Sequence, residues 1–515
     1  MASMGTYTLP GGRWNSLPLS YTTPIIISVV VTIVVWFIMS YIPTRRRLPL
    51  PLPPGSYGLP WIGDTISFMA ASMSDVGHQK WIESKRAKYG PFFKIRFMGN
   101  PMVMMDAPGG NKFLFQNEGK HMDTYWPPQV PALLGPDSIF MMAGEEHRVA
   151  RRYLARLLDH TVVSQYFDTV QRRAVQHFAK HWEENETRGS EIFITAALDK
   201  TIMFTFSVMC SLLISMDEGP QMDELLSKFS TWSKGFLSLP INLPGFAFYD
   251  GFKMRRHIMD FIAGYITQRR AELAEDQVSK TAAVDMLTSL LTVADDKGEM
   301  LSEAKIQNTL LTFLYAGFDS SSTALAMTVY YIAKYPHIYD QLVQEHRSIL
   351  EQKRRKGDDE AFTREDLSAM KITWAVIQET LRLQPPVTGT FRRAKSNLEY
   401  NGRYQAADGL KFGCDMQMMW NTMNSHHDPK FFQDPATFNP SRFEEPPSSL
   451  TYLPFGGGPR ACLGNEFAKM EMLIFIHHLI KRYKWTLVDP EDPVIRDPTP
   501  RHQNGTLIKV TKIAL

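Results

Sequence analysis

Hydrophobic and polar positions divide the chain into stretches of different period. Residues 301–334 carry the longest helical signal, with Leu310, Leu311, Phe313, Leu314, Ala324, Met327 and Tyr331 covering every side. A helix apolar all round belongs inside a domain, so this one is predicted to run buried through its middle. Residues 465–483 read as a second helix, and 165–270 as successive amphipathic helices broken at Gly219-Pro220 and at Pro240, Pro244 and Gly245. Residues 91–107 alternate through Phe93, Ile95 and Phe97 into a Met-rich run, which predicts a strand hairpin. Asn504-Gly505, between Thr499 and Val510, predicts another. The irregular residues 122–140, with four prolines, precede a helix beginning near Ala143. The expected class is mainly α with a smaller β portion (α+β).

The N-terminal pattern differs. Between Arg13 and Arg45 there is no charge, and 25–42 is an almost unbroken apolar run, long enough for one membrane span with its flanks. No small-residue cleavage site is evident and Arg45, Arg46 and Arg47 follow, which favours a retained transmembrane helix over a cleaved signal. The arginines predict a cytoplasmic location for the bulk of the chain. Prolines at 49, 51, 53, 54 and 60 then impose an extended spacer. The expected organisation is a luminal segment 1–20, a signal anchor 21–44, a basic and proline-rich hinge 45–63 and one catalytic domain 64–515.

Composition narrows the function. At 515 residues and 44% hydrophobic content the chain can bury a large core, and no linker divides it. A net charge of +3 from interspersed signs argues against nucleic-acid binding. Three cysteines without regular spacing exclude a disulfide framework or a zinc site and suit a reducing compartment. Cys210, in an apolar run, and Cys414, in a loop, read as small hydrophobes.

Cys462 reads otherwise. The stretch 455–464 is Phe-Gly-Gly-Gly-Pro-Arg-Ala-Cys-Leu-Gly, whose glycines let a backbone lie against something large and planar. Cys462 stands just before a helix N-terminus, and Arg460 adds a fixed positive charge; both favour a thiolate, the form that ligates metals. Phe455, Gly458, Arg460, Cys462 and Gly464 at this spacing resemble the haem-binding loop of the cytochrome P-450 monooxygenases.

The resemblance extends over 51–515. It implies a long central helix over the haem, with Ala316-Gly317-Phe318-Asp319-Ser320-Ser321 as the oxygen-activation motif and Asp319 and Ser320 as proton relay. The family usually carries Thr where Ser320 stands; the hydroxyl is retained and the β-branch is not. Read alone, Ser320 bonding back to a carbonyl and bending the helix accounts for it equally. His147 and Arg151, four apart on one helix face, match the haem-propionate pair, and Arg392 a further propionate contact. Phe455, Arg460 and Gly464 complete the cofactor loop, with Cys462 as metal ligand. Trp126, Ala316, Gly317, Val387 and Thr388 line the implied substrate pocket. Glu379, Arg382 and Arg442 match a buried structural network behind the haem. His426 is open between a propionate role and an exposed loop, and 236–249 between a membrane-touching roof and a loop packed on the core.

The implied activity is membrane-anchored oxidation of a C–H bond with O2, haem b (iron protoporphyrin IX), and electrons from NADPH through NADPH-cytochrome P-450 reductase. The implied setting is a monomer in the endoplasmic reticulum membrane, single-pass, in contact with lipid and a lipophilic substrate. His147-Arg148 with Arg151-Arg152, the run 456–472, and Pro336-His337-Ile338-Tyr339 resemble the plant branch acting on sterols and terpenoids. Two rivals are a haem-thiolate isomerase or dehydratase acting on a peroxide, and a non-catalytic haem sensor. The retained Asp319-Ser320 pair counts against the first.

Overall fold

The computed structural model describes residues 53–513 except 60–61, 106–107, 183–191, 276–284, 293–297, 357–361, 401–409, 413 and 498, together with helical positions 28, 31, 32 and 35. The luminal segment, most of the expected anchor and most of the hinge lie outside the described residues. Pro51–Leu515 forms one compact unit. Its described start already lies along a strand, where Lys94 N donates to Pro54 O at 2.8 Å.

Helix Glu303–Lys334 is the axis of this unit. The Ser302 hydroxyl caps it by accepting from Lys305 N, and it stops before Pro336, where a helix cannot readily continue. Leu310, Leu311, Leu314, Leu325, Val329 and Ile332 are buried on several sides of it, each contributing about 2 kcal/mol by leaving water. Helix Ala197–Ile214 packs along it, with Phe206 edge-on to Phe318 at 5.0 Å and Thr205 Oγ1 donating to Phe318 O at 3.1 Å. This second helix is apolar and long enough to cross a membrane, but 72% of it is buried inside the protein. Cys210, within it, is the small buried hydrophobe that the sequence suggests.

The strands, in chain order, are β1 Phe92–Phe97, β2 Asn100–Met105, β3 Met122–Tyr125, β4 Ile192–Ala196, β5 Gly389–Ala394, β6 Leu398–Tyr400, β7 Leu410–Phe412, β8 Gln417–Asn421, β9 Tyr483–Leu487, β10 Val494–Arg496, β11 Pro500–His502 and β12 Leu507–Lys512. The largest sheet has order β1-β2-β8-β5-β3, antiparallel except for the β2–β8 pair. Its hairpin is the one read from the alternation at 91–107. Met98 and Gly99 both take positive φ in the two-residue turn, the conformation that matches strand twist. Both sheet faces are covered, Phe93, Ile95 and Met104 packing on one side and Phe92, Val103 and Met105 on the other.

The C-terminal hairpin differs from expectation. Asn504-Gly505 does form a turn, with Gly505 N donating to His502 O at 3.0 Å. Its flanking strands do not pair with each other: β11 pairs with β10, and β12 inserts between β4 and β9. A turn dipeptide reports local backbone preference, whereas strand partners are chosen by the buried faces of distant segments.

Candidate active site

The loop at 455–464 folds back on itself. Gly456 and Gly458 sit at φ of 69° and 68°, where a side chain would be strained, and Cys462 N donates to Phe455 O at 2.9 Å. Helix Asn465–Arg482 begins directly after, and the N–H of its N-cap, Gly464, bonds to the thiol. Cys462 is exposed, yet burial is the chief force raising its thiol pKa, so it faces an enclosed space rather than bulk water. Gly464 leaves that side open, with nothing but the Cys462 sulfur within 4.0 Å of a β-carbon built there. Gly457 and Gly458 serve a different neighbour: their missing β-carbons would collide with Phe115, at 2.5 and 2.7 Å.

Positive charge gathers beside the thiol. On helix Gly144–Arg156, His147 is buried and Arg151 stands one turn later. Burial and then Arg460, Arg151 and Arg392 push the His147 pKa down to about 4, so at neutral pH its ring is an uncharged donor and acceptor. Arg392, on β5, is 2% exposed and bonds Thr390 Oγ1 and Phe391 O, each at 2.8 Å. The sequence reading missed the residue that joins them. Glu118 accepts from Arg460 Nε at 2.6 Å and forms a second ion pair with Arg392. Arg460 also donates to Met142 O, so its charge is spent on Glu118 and this carbonyl; the cation acting on the Cys462 thiol is Arg151. Among the described residues of this cluster, three guanidiniums stand against one carboxylate, an excess of two positive charges that suits a ligand with two carboxylates.

Midway along helix Glu303–Lys334, Ala316 is exposed between half-buried Tyr315 and Gly317. Gly317 faces elsewhere: a β-carbon there would meet the Met209 side chain at 2.4 Å, so its smallness serves helix packing rather than a flat ligand. Ser320 Oγ donates to Ala316 O at 2.9 Å, a bond back to its own helix, while its lone pairs stay available. Asp319 forms no side-chain hydrogen bond among the described residues, and burial pushes its carboxyl pKa up to about 6. Val387 is 50% exposed, and Thr388 O is engaged by Thr422 N at 2.7 Å. Trp126 donates to Phe140 O at 3.0 Å and thereby pins the proline-rich loop to itself.

Behind the loop, Arg382 binds both carboxylate oxygens of Glu379, at 2.7 and 2.8 Å, with both side chains fully buried; Arg442 Nε lies 3.4 Å from the same carboxylate. His426 is neither exposed nor at the arginine cluster. It is fully buried, accepts from Leu453 N at 2.8 Å and so donates through Nδ1 to Arg382 O, coupling this network to the cysteine loop. Glu471, nine residues beyond Cys462, is a second missed acid. It is fully buried with Ser321 beside it, and burial pushes its pKa up to about 8. His177, His181 and Glu218 cluster within 4.8 Å of one another. Trp182 Nε1 donates into His177 Nε2 and Lys180 Nζ lies 3.1 Å from Glu218, so this cluster is a hydrogen-bonded ion pair, not a cation seat.

The cytochrome P450 family profile matches residues 53–513. Taxane 13-alpha-hydroxylase of Taxus cuspidata is 33% identical, with 92% of this chain and 94% of that protein covered. Beta-amyrin 28-monooxygenase of Panax ginseng is 34% identical over 89% and 92%, and protopanaxadiol 6-hydroxylase of the same plant 33% identical over 90% and 94%. Among solved structures, a retinoic-acid-bound cyanobacterial CYP120A1 superposes with TM-score 0.77 at 28% identity, covering 90% of this chain and all of that one.

Proposed function

The chain belongs to the cytochrome P450 family, and on that footing we propose that it oxidises a C–H bond of a terpenoid or sterol skeleton with O2, using NADPH electrons delivered by a microsomal reductase. It is a haem-iron monooxygenase, an oxidoreductase with a redox partner and a lipophilic substrate. The terpenoid relatives support the substrate class. The net reaction takes one substrate, one O2, one NADPH and one proton to hydroxylated product, water and NADP+. The endoplasmic reticulum location, the anchor at 21–44 and the monomeric state belong to the same proposal. Haem b is proposed because the cysteine loop offers no Cys-x-x-Cys-His for covalent attachment.

The observation that carries the reading is the convergence of Arg151, Arg392, Arg460 and neutral His147 beside Cys462, at the start of helix Asn465–Arg482. Cys462 would hold the iron; the arginines and His147 would hold the propionates; Phe455 and Gly464 would shape the thiol's surroundings. Bound haem supplies the activation of O2. The chain's own work is to orient substrate with Trp126, Ala316, Val387 and Thr388, to exclude bulk water, and to pass protons through Asp319 and Ser320. With a pKa of about 6, Asp319 exchanges a proton readily near neutral pH, and the Ser320 lone pairs can hold a water beside it.

Microsomes from yeast co-expressing the chain and a plant reductase test this. Given triterpene, diterpene and sterol scaffolds, product should need both NADPH and O2 and carry one atom from labelled oxygen. Product formed without either would establish the isomerase reading instead.

A further inference from the structure

Tyr315, Asp319 and Thr323 follow one another at four-residue spacing and so share one face of the long helix. That face is not the one presented by Ala316 and Ser320. Thr323 Oγ1 donates to Thr499 Oγ1 at 3.0 Å, and Tyr330 lies against His502 at 4.1 Å between ring centres, so the β10–β11 hairpin is docked along this face. Asp319, one turn before Thr323, therefore faces Asp497 and Arg501 of that hairpin. Across that hairpin Arg501 binds Asp497 at 2.6 Å, with side chains 36% and 43% accessible.

We propose that the Asp497–Arg501 pair controls proton supply to Asp319, Asp497 being the positioning residue that keeps Arg501 away from the Asp319 carboxyl. The inference rests on Asp319 and Ser320 forming the relay. Because Arg501 is bound to Asp497, Asp319 has no ion-pair partner among the described residues and its carboxyl stays protonatable near neutral pH. The charged groups acting on it are Arg501, which favours the carboxylate, and Asp497, which opposes it; on its own helix Tyr315 is the titratable neighbour. The helix packed on the opposite side presents Thr205, Phe206 and Met209, all uncharged. The pair is accessible, so a proton taken from solvent at the hairpin has a short path to Asp319 and then to the Ser320 side.

The two ends of the pair should act in opposite directions. Asp497→Asn frees Arg501 to turn to Asp319, stabilises the carboxylate and lowers its pKa. Arg501→Gln removes the cation and raises it. The haem-loaded protein is titrated by infrared spectroscopy of its protonated carboxyl band, with Asp319→Asn identifying the Asp319 component, while product per NADPH is followed against pH. The expected result is an infrared midpoint about one pH unit lower (about tenfold higher proton concentration) for Asp497→Asn and about one pH unit higher for Arg501→Gln. The alkaline fall in coupling should move with each midpoint. Shifts in the same direction, or none, overturn the proposal. If Asp319→Asn itself leaves coupling unchanged, the relay reading fails, and the proposal with it; if it uncouples while the hairpin variants do nothing, only the proposal fails.

Discussion

Glu118 and Arg460 are 342 residues apart in the chain and 2.6 Å apart in space. The same carboxylate holds Arg392, so one acid secures two of the guanidiniums proposed to meet the haem propionates. Glu118→Gln should strand the buried Arg392 and the mostly buried Arg460. Removing one partner of a buried pair costs about 3 kcal/mol or more, and the haem-free protein should lose that much. The haem-loaded protein should lose less, because propionates neutralise the same arginines. Thermal unfolding with and without haem measures the difference; equal losses in both would separate this cluster from the propionates.

A second prediction concerns Ser320. Ser320→Ala removes the hydroxyl and its bond to Ala316 O without touching Cys462 or the arginine cluster. Haem content and substrate affinity should stay, while NADPH consumption continues and product per NADPH falls severalfold, oxygen leaving as peroxide. Ser320→Thr should keep coupling, since the donor remains and the added methyl only restricts its rotamer. Ser321 is buried beside Glu471 and should not substitute. Ser321→Ala alone should therefore leave coupling intact, and normal coupling in Ser320→Ala would leave the back-bond as the only role of this hydroxyl.

The contrast between Ser320 and Glu118 marks what a sequence can disclose. The long helix, the first hairpin and the Cys462 loop were legible because each is written in contiguous residues: all-round apolarity, alternation, glycines before a helix. Glu379 and Arg382 were legible as a pair three apart on one helix. Glu118 carries no local sign, since both of its partners lie far along the chain. Gly317 misled for a related reason: a small residue in a helix signals close approach but does not say to what, and the neighbour is Met209. Arg460 lies two residues from Cys462 in the sequence, yet its fork reaches Glu118 and Met142. The β10–β11 pairing escaped because strand partnership depends on which faces are buried together.

Buried Glu471 and buried histidines should tie stability to pH in opposite directions. In the unfolded chain a glutamate ionises near 4.5, and in the fold Glu471 does so at about 8. The folded state therefore holds an extra proton between those values, and this contribution, full below the unfolded pKa, disappears as pH rises through about 8. Glu471→Gln should flatten the decline in unfolding temperature that this carboxyl imposes between about pH 4.5 and about pH 8. On the acid side His346, lowered to about 4, and His426, lowered to about 3, both by burial, bind protons more weakly in the fold than out of it. Their contribution is present above the unfolded value of 6.5 and is lost as pH falls through the folded ones. A melting profile of the Gln variant that falls as steeply up to about pH 8 as that of the parent would place this loss elsewhere.

The Glu379–Arg382 pair should be intolerant of single changes. With both side chains fully buried, Arg382→Leu leaves the Glu379 carboxylate with the Asn439 N–H at 2.8 Å and Arg442 at 3.4 Å and removes the donor to His426 O, a loss of about 3–5 kcal/mol. Soluble folded yield and haem content should fall together. Retained folding with normal haem content would show the network to be dispensable for the cysteine loop.

The central claim is that Cys462 is the iron ligand, and the carbon monoxide difference spectrum of the reduced protein tests it most directly. The parent protein should show the red-shifted Soret band of a thiolate-ligated ferrous carbonyl. Cys462→His should replace it with the shorter-wavelength band of imidazole ligation, while Cys210→Ala and Cys414→Ala leave it in place. A thiolate band that survives in Cys462→His, or that disappears in either of the other two variants, would contradict the assignment.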